Sequence, residues 1–294
     1  MKWIGGILLV LVLIVLGLLL PPHLQVRQVD APLPTASALA QLLESSDGPT
    51  KVSYLLTSSQ DTIEGRLGHT SILIEWPDGR MFMIDAGMDE QESLAFGELV
   101  QSMGSAEVGA SFHGSIAELL DERINRVEGV GFTHLHIDHT QGLINFCEAR
   151  GDRIGGYQTT WQASEHNFNT TEGGEIVSSQ CLDVQTLSGD ELSMVPGFPG
   201  LAAFPLGGHT PGSTLWAVAV DDKVLLFSGD ITNSKHKLDA DEGKGFLYSF
   251  IFVPEDTART AELRAWLREL DARPEFSVVV AHDIKQMAST LPAL

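Results

Sequence analysis

The chain has 294 residues, and 43% of them are apolar, which is enough for a sizeable buried core. Its formal net charge is -21, from 39 acidic and 18 basic residues. This balance argues against nucleic acid as a partner, because non-specific binding needs Lys and Arg to neutralise phosphates. A small anionic substrate stays possible, because a bound metal ion can dominate the local electric field.

A long apolar run opens the chain. Residues 3–20 form a stretch of 18 residues without a charge, which is near the length of a membrane-spanning helix and longer than a signal-peptide core. Pro21 and Pro22 are expected to end this helix. We therefore expect residues 1–22 to be an uncleaved transmembrane anchor that contacts the lipid bilayer. A removed signal peptide is the alternative.

The charge before this run predicts its orientation. Lys2 and the amino terminus are positive, and positive flanks of a span stay in the cytoplasm. The rest of the chain would then lie on the periplasmic or extracytoplasmic side. The predicted location is the cell inner membrane, with a single pass.

The remaining sequence divides into a linker and one domain. Residues 23–51 are rich in Pro, Ala and Ser, and we expect a linker with one short helix at 36–44. Residues 52–294 are expected to form a single globular domain. Two segments within it, 68–87 and 208–230, each start Gly-His-Thr and contain two apolar strands joined by a turn. This repeated hairpin suggests a domain built of two related halves.

Helical patterns lie between the strands. Glu92–Met103 and Ser115–Arg126 are plausible helices, and Ala258–Ala272 has the apolar spacing of one buried face. A strand is expected at Ser277–Ala281. Strands mixed with helices in this way predict an α/β fold in which helices cover sheets.

The two cysteines leave the redox environment open. Cys147 and Cys181 are the only cysteines in the chain, and their spacing is not that of a metal site. A disulfide in an oxidising compartment and two buried thiols are equally compatible with the sequence.

The stretch THLHIDHTQG concentrates metal-binding side chains. His134 and His136 are two apart in an extended segment, so both can point to one side and share a metal ion. Asp138 and His139 lie just beyond, where the chain turns, and can face a second ion. Imidazole and carboxylate groups suit Zn²⁺, with Mn²⁺, Fe and Co²⁺ as other occupants.

Further candidate ligands also follow strand-like runs. His209 follows LAAFPLGG, and His282 follows SVVVA. Side chains in loops beyond strand ends can converge on one rim of a sheet, where a rigid scaffold positions them. An isolated histidine would more simply be a core or surface residue, but the combined pattern favours a metal centre.

Four motifs in a fixed order, THLHIDH, GGHTPGS, FSGD and AHD, resemble the metallo-β-lactamase-fold hydrolase superfamily over about residues 52–294. The resemblance implies a four-layer αββα sandwich of two similar halves. It also implies a binuclear metal centre, with two divalent ions that are most often Zn²⁺. Carried over by position, one ion would be bound by His134, His136 and His209, the other by Asp138, His139 and His282, and both by Asp230.

The same resemblance implies a mechanism. A hydroxide held between the two ions would attack the scissile bond, because metal coordination lowers the pKa of water towards neutrality. Asp138 would be catalytic as the group that takes up a proton. Asp85, within MIDAG, matches a family position that orients the metal ligands without binding a metal ion itself.

Differences from individual branches narrow the expected activity. True β-lactamases of the most similar branch lack the bridging aspartate that is present here as Asp230. Glyoxalase II-type thiolesterases carry a helical C-terminal region, whereas only 12 residues follow His282. Quorum-quenching lactonases are similar around MIDAGM and AHDIKQ, although Asn233 stands where they have a substrate-contacting tyrosine. Tyr248 lies in the following loop and cannot be given that task from sequence.

The resulting expectation is a membrane-anchored binuclear hydrolase acting on a small ester, lactone or related bond. An exported β-lactamase and a lipid phosphodiesterase of the same fold are the alternatives. A different class, an anchored metal-binding sensor without turnover, also has to be considered.

Several features have competing interpretations. The loop 231–254 turns from polar to aromatic, which fits a flexible wall with an acyl pocket or an ordinary surface loop. His69 has the place in the first hairpin that His209 has in the second, so we expect it either near the opposite end of the sheet sandwich, with a structural role, or lining the pocket. His113, His166 and His236 are expected to be surface or core residues.

Overall fold

Apolar runs along the chain pair into two β-sheets. The structure, a computed structural model, describes residues 2–63 and 65–294. In that part of the chain the larger sheet has the strand order β4-β1-β2-β3-β5-β6-β7, and the smaller has the order β12-β11-β10-β9-β8. The strands are β1 Lys51–Thr62, β2 Gly65–Glu75, β3 Met81–Ile84, β4 Ser111–Phe112, β5 Val127–Gly131, β6 Ile154–Thr159, β7 Leu182–Leu187, β8 Ser193–Met194, β9 Leu201–Pro205, β10 Thr214–Val220, β11 Lys223–Phe227 and β12 Phe276–Val279.

Helices lie before, between and after these strands. Short 3₁₀ segments occur at Gln41–Glu44, Asp121–Arg126 and Gly229–Ile231, and a π-helical turn at Tyr248–Phe252. The α-helices are α1 Lys2–Val26, α2 Ala36–Ala40, α3 Glu90–Ser102, α4 Ile116–Leu120, α5 Ile137–Thr140, α6 Leu143–Arg150, α7 Thr160–Ser164, α8 Thr171–Ser179, α9 Lys235–Ala240, α10 Thr257–Asp271 and α11 Ile284–Thr290.

The two sheets pack face to face, and helices cover the outer face of each. Phe82 and Ile84 of the larger sheet share one buried cluster with Trp216 and Phe227 of the smaller sheet. Helices α4, α6 and α8 pack on the outside of the larger sheet, and α10 packs on the outside of the smaller. This arrangement agrees with the predicted four-layer αββα sandwich.

The predicted repeated hairpins are present in both sheets. In the first, β2 and β3 are antiparallel, with Ile72 opposite Ile84. In the second, β10 and β11 are antiparallel, with Trp216 opposite Phe227. The predicted helix at 258–272 corresponds to α10, which begins after Asp256, whose side chain accepts hydrogen bonds from the first backbone N–H groups.

The prediction of an N-terminal transmembrane helix is wrong. Among the helices that the structure describes, none combines the length and the apolar character that crossing a membrane requires. The uncharged run of 18 residues at 3–20 lies at the short end of the roughly 17–25 residues that span a bilayer. The predicted contact with a lipid bilayer therefore has no support.

The end of α1 packs on the domain instead of stopping at the two prolines. The helix continues through Pro21 and Pro22 as far as Val26, which is fully buried. His23 Nε2 lies 3.0 Å from the carbonyl oxygen of Phe250, and Gln25 donates a hydrogen bond to Glu165. Both prolines can occupy the helix because these tertiary contacts stabilise its last turns.

The segment predicted as a linker also contacts the sandwich. Its short helix corresponds to α2 and the following 3₁₀ turn, and Leu39 and Leu42 are buried against the smaller sheet. Arg259 of α10 donates a hydrogen bond to the carbonyl oxygen of Ala31. These contacts hold the segment along the outer face of that sheet.

A disulfide between Cys147 and Cys181 connects α6 to the start of β7 across 34 residues of sequence. Replacing both residues by serine should lower the free energy of unfolding by about 3–4 kcal/mol, because the bond restricts the unfolded chain. Urea denaturation with and without a reductant checks this. The double variant should not respond to the reductant, and a wild-type protein equally insensitive to it would contradict the expected bond.

Candidate metal centre

The predicted metal ligands lie just after the carboxyl ends of four strands, one in the larger sheet and three in the smaller. The first motif follows β5, and His209, Asp230 and His282 follow β9, β11 and β12. Within the smaller sheet β11 is parallel to β12, and both β9 and β11 are antiparallel to β10. Because the carboxyl ends of parallel strands lie at one edge of a sheet, these loops converge there.

Asp85 holds the first motif in place. Its carboxylate accepts hydrogen bonds from the backbone N–H and the hydroxyl of Thr133, at 2.7 and 2.8 Å. Asp85 Oδ2 also lies 2.9 Å from His139 Nδ1. Asp85 has a φ of 60°, an unusual conformation that aspartate tolerates better than most residues. It occupies the orienting place that the sequence predicted.

Two glycines allow the site loops to approach each other. A Cβ on Gly142 would lie 2.2 Å from the carbonyl oxygen of Ala86, and one on Gly229 would lie 2.7 Å from the Cβ of Thr133. Gly229 also has a φ of 56°, which favours glycine. The glycines of THLHIDHTQG and FSGD are therefore needed for close backbone packing.

Three histidines form the first group of facing side chains, which we call group 1: His134, His136 and His209. One ring nitrogen from each lies within 4.8 Å of the others. His134 Nε2 is 3.0 Å from His136 Nδ1. His134 and His209 are buried, whereas His136 is half-buried.

Asp138, His139 and His282, which we call group 2, lie next to group 1. Asp138 Oδ2 is 3.5 Å from His139 Nε2 and 3.6 Å from His282 Nε2. All three side chains are buried. The structure thus brings together the residues that the sequence placed on the second ion.

Asp230 lies between the two groups. Its Oδ2 is 3.8 Å from His209 Nε2 of group 1. Its Oδ1 is 2.9 Å from His282 Nε2 and 3.5 Å from His139 Nε2 of group 2. Each carboxylate oxygen therefore faces a different group.

The buried atoms of the centre have the chemistry of metal ligands. The Nε2 atoms of His136, His139 and His209 are buried without a hydrogen-bond partner among residues 2–63 and 65–294. Such an unpaired polar atom costs about 1–3 kcal/mol. Imidazole nitrogens and carboxylate oxygens are the ligands that Zn²⁺ takes in proteins. The residues present fit divalent metal ions.

Partners on the far side of the rings fix their orientation. His282 Nδ1 is 2.8 Å from the carbonyl oxygen of Gly68, and His209 Nδ1 is 2.6 Å from Glu255 Oε1. With Nδ1 engaged in this way, Nε2 is free to bind a metal ion. Sequence reasoning missed Glu255, which follows Asp230 by 25 residues and carries no recognisable motif.

A buried lysine adds positive charge to the centre. Lys244 Nζ lies 3.5 Å from Asp230 Oδ2 and 3.5 Å from Glu255 Oε1. Burial favours loss of the proton from Lys244, but the neighbouring carboxylates of Asp230 and Glu255 outweigh it and raise the pKa of the ammonium group. Burial likewise opposes ionisation of Glu255, but Lys244 and the hydrogen bond from His209 lower its pKa to about 2. Lys244 and Glu255 are therefore a charged pair.

The loop at 231–254 brings a tyrosine to the centre. Lys244 Nζ lies 5.1 Å from the centroid of the Tyr248 ring. Burial raises the pKa of the Tyr248 hydroxyl, which therefore keeps its proton and can donate a hydrogen bond. The neighbouring Phe246 and Leu247 are 73% and 62% exposed, so this part of the loop is an open apolar surface and not a closed pocket.

The other histidines lie in different surroundings. His69 is buried beside group 2, with Nε2 3.8 Å from Asp138 Oδ2, so it lies at the metal centre and not at the far end of the sandwich. His113 is exposed, and its Nε2 is 2.8 Å from Ser59 Oγ. His236 is exposed and His166 is half-buried.

Comparison with known proteins gives the family. The family model of the Metallo-beta-lactamase superfamily matches residues 65–282. No curated protein sequence matches the chain significantly.

Solved structures share the fold at low sequence identity. An N-acyl homoserine lactone hydrolase, solved with N-hexanoyl-L-homoserine at its catalytic metal centre, is 16% identical, with a TM-score of 0.59 over 82% of this chain and 96% of that chain. An AiiA mutant from B. thuringiensis with N-decanoyl-L-homoserine at its active site is also 16% identical, with a TM-score of 0.58 over 82% and 96%. The hydrolase AbOPH is 15% identical, with a TM-score of 0.55 over 82% and 92%.

The family match covers most of the chain and includes all seven residues that form the centre, from His134 to His282. The sandwich, the rim of ligands and the match agree with one another. This chain belongs to the metallo-beta-lactamase superfamily and is a metal-dependent hydrolase of that fold.

Proposed function

We propose that this hydrolase binds two zinc ions and cleaves a lactone or ester bond of a small molecule. The observation that supports it most directly is the position of Asp230. One carboxylate oxygen faces His209 of group 1, and the other faces His139 and His282 of group 2. A shared carboxylate between two ligand sets is the arrangement expected of a two-metal site.

The chain's own residues would position the reactants and move the proton. Bound zinc ions would polarise the carbonyl oxygen of the substrate and make a water molecule more acidic. Asp138 is 8% exposed, and its Oδ2 faces both His139 and His282. Burial opposes ionisation, but these two imidazoles lower the pKa of Asp138, so the side chain is an ionised carboxylate at neutral pH, with lone pairs free for a proton. We assign Asp138 Oδ2 the proton lost by water as the new C–O bond forms, and its return to the leaving oxygen.

Two observations support a lactone or ester as the substrate class. Asp230 counts against antibiotic hydrolysis, because the β-lactamase branch that the motifs resemble lacks a bridging aspartate. Structures with the same fold include proteins with acyl homoserines at the active site. Tyr248, in the loop at 231–254, would contact the substrate. It would take the place of the substrate-contacting tyrosine of the lactonases, whose position is occupied here by Asn233.

Tyr248 gives a direct prediction. Tyr248→Phe should lower kcat/KM by about 10- to 100-fold, because a hydrogen bond to a charged group contributes about 1.5–3 kcal/mol. Metal content should stay at the wild-type value, because the ring and its contact with Lys244 remain. Steady-state kinetics with metal analysis checks both.

Tyr54→Phe is the matched control, because Tyr54 packs beside the core between the sheets. It should leave kcat/KM within about threefold of wild type. Equal losses in the two variants would remove Tyr248 from the reaction.

The proposal as a whole is tested by metal analysis and a substrate panel on the full chain. Zinc-supplemented protein should carry two ions and hydrolyse lactones or esters faster than β-lactams, thioesters or phosphodiesters. Asp138→Asn should lose most turnover. Binding of only one ion per chain would contradict the proposed two-metal site. A phosphodiester or β-lactam as the best substrate would contradict the proposed substrate class.

We also propose that the domain functions in an oxidising compartment outside the cytoplasm. The disulfide between Cys147 and Cys181 supports this location, because such bonds persist where the surroundings are oxidising and are rare in the cytosol. Fractionation of cells with thiol labelling tests it. Free thiols in protein isolated under labelling conditions would contradict it.

A further inference from the structure

His69 is a buried imidazole that the proposed function leaves without a role. It lies on β2 and is 1% exposed. Its Nδ1 is 2.8 Å from the hydroxyl oxygen of Ser58, which is fully buried. Its Nε2 is buried and has no hydrogen-bond partner within residues 2–63 and 65–294. A metal-binding histidine has the same arrangement: one ring nitrogen is held by a hydrogen-bond partner, and the other binds the metal ion.

Backbone contacts place His69 next to group 2. The N–H of Gly68 donates to the carbonyl oxygen of His282 at 3.1 Å, and His282 Nδ1 lies 2.8 Å from the carbonyl oxygen of Gly68. These two contacts connect β2 to the loop that carries His282. The rings of His69 and His282 are 5.6 Å apart, edge to face, and Phe96 of α3 packs on His69 at 5.0 Å. The imidazole is therefore held in one orientation.

The free nitrogen faces the carboxylate of Asp138. His69 Nε2 is 3.8 Å from Asp138 Oδ2, which is itself 3.6 Å from His282 Nε2. The ligand atoms of His69, Asp138 and His282 all lie within 4.8 Å of one another. Two imidazoles and one carboxylate on one side of an ion are a recognised way to bind a divalent metal.

We propose that His69 Nε2 is an additional ligand of the second metal ion, together with Asp138, His139, Asp230 and His282. The inference rests on the proposed two-metal function. It makes the second ion richer in protein ligands than the first, which has the three histidines of group 1 and Asp230. The second site should therefore hold its metal with more than four ligands.

Titration of the metal-free full chain with Co²⁺ tests the proposal, by calorimetry and by the visible absorption of the bound ion. Wild type should bind two equivalents. In His69→Ala the first equivalent should be unchanged, and the second should bind at least about 10-fold more weakly, which is the lower end of the effect of removing even an outer partner of a ligand. The absorption of the second ion should become more intense, because a lower coordination number intensifies these bands.

Two further variants make the result specific. Ser58→Ala should weaken the second equivalent less than His69→Ala, because it removes only the orienting partner. His113→Ala removes an exposed imidazole that contacts Ser59, the neighbour of Ser58 on β1, and should change neither step. Circular dichroism and an intact first step show that each variant is folded, and His69→Gln replaces the alanine variant if that one is unfolded.

The outcomes separate this inference from the function on which it rests. Binding of two equivalents by wild type, with affinity and spectrum of the second unchanged in His69→Ala, would overturn the role of His69 alone. Binding of a single equivalent by wild type would overturn both proposals. A change in turnover of His69→Ala without a change in Co²⁺ binding would also overturn the ligand role, because it would place His69 on the substrate.

Discussion

Asp230→Asn should lower kcat/KM by about a thousandfold or more and reduce the bound metal from two ions to about one per chain. A metal ion stabilises the transition state by several kcal/mol, and about 4 kcal/mol corresponds to a thousandfold in rate. The expected loss is this large because one carboxylate serves both ligand groups. Its two oxygens face His209 on one side and His282 on the other.

The substitution tests charge and bridging more than packing. Asparagine has nearly the shape of aspartate, so the 3₁₀ turn at Gly229–Ile231 should be kept. The amide has a single acceptor oxygen and no negative charge, and it cannot neutralise two divalent ions. Lys244, which lies 3.5 Å from Asp230 Oδ2, would then face the ions with only Glu255 left to offset its charge.

Metal analysis and steady-state kinetics measure the two effects together. Asp222→Asn is the matched control, because Asp222 is exposed in the turn between β10 and β11 and should change neither quantity. An Asp230→Asn protein with two bound ions and near wild-type turnover would show that Asp230 does not bridge.

The ligand pattern could be predicted from sequence because it depends on local order. His134, His136, Asp138 and His139 lie within six positions, and their directions follow from an extended segment leading into a turn. His209 and His282 could be added because each follows a strand-like run. The structure places all of them at one rim. The strands β9, β11 and β12 run in the same direction, and the carbonyl oxygen of Thr133, after β5, accepts a hydrogen bond from the N–H of Thr214 in the smaller sheet.

The charged residues that contact the metal ligands could not be predicted in the same way. Glu255 and Lys244 contact His209 and Asp230 from a loop without regular strand or helix patterning, and no spacing rule relates them to those residues. The sequence showed that His69 has the same place in the first hairpin as His209 has in the second. Its proximity to Asp138, however, depends on the pairing of β2 with the loop at His282.

The N-terminal helix was misjudged for a different reason. Hydropathy describes a segment on its own, whereas the last turns of α1 pack on the domain through residues such as His23 and Val26. Helix termination by Pro21 and Pro22 was likewise a local rule that tertiary contacts overrode.

Glu255→Gln should weaken the first metal site and also destabilise the metal-free protein. The affinity for the first ion should fall about 10- to 100-fold, because Glu255 orients His209 through a 2.6 Å contact with Nδ1. The free energy of unfolding should fall by about 1–3 kcal/mol, because the buried Lys244 would lose one of its two carboxylate partners and keep only Asp230. Zinc competition with a chromophoric chelator measures the first effect, and urea denaturation of the metal-free protein measures the second.

Two variants separate the role of the charge from that of the side chain. Glu262→Gln removes a carboxylate that is 56% exposed and pairs with Arg259, so it should cost no more than about 1 kcal/mol. Lys244→Met combined with Glu255→Gln should recover stability, because no uncompensated charge is left in the site, but should not recover the affinity for zinc. If the double variant binds zinc as tightly as wild type, Glu255 acts only by neutralising Lys244 and does not orient His209.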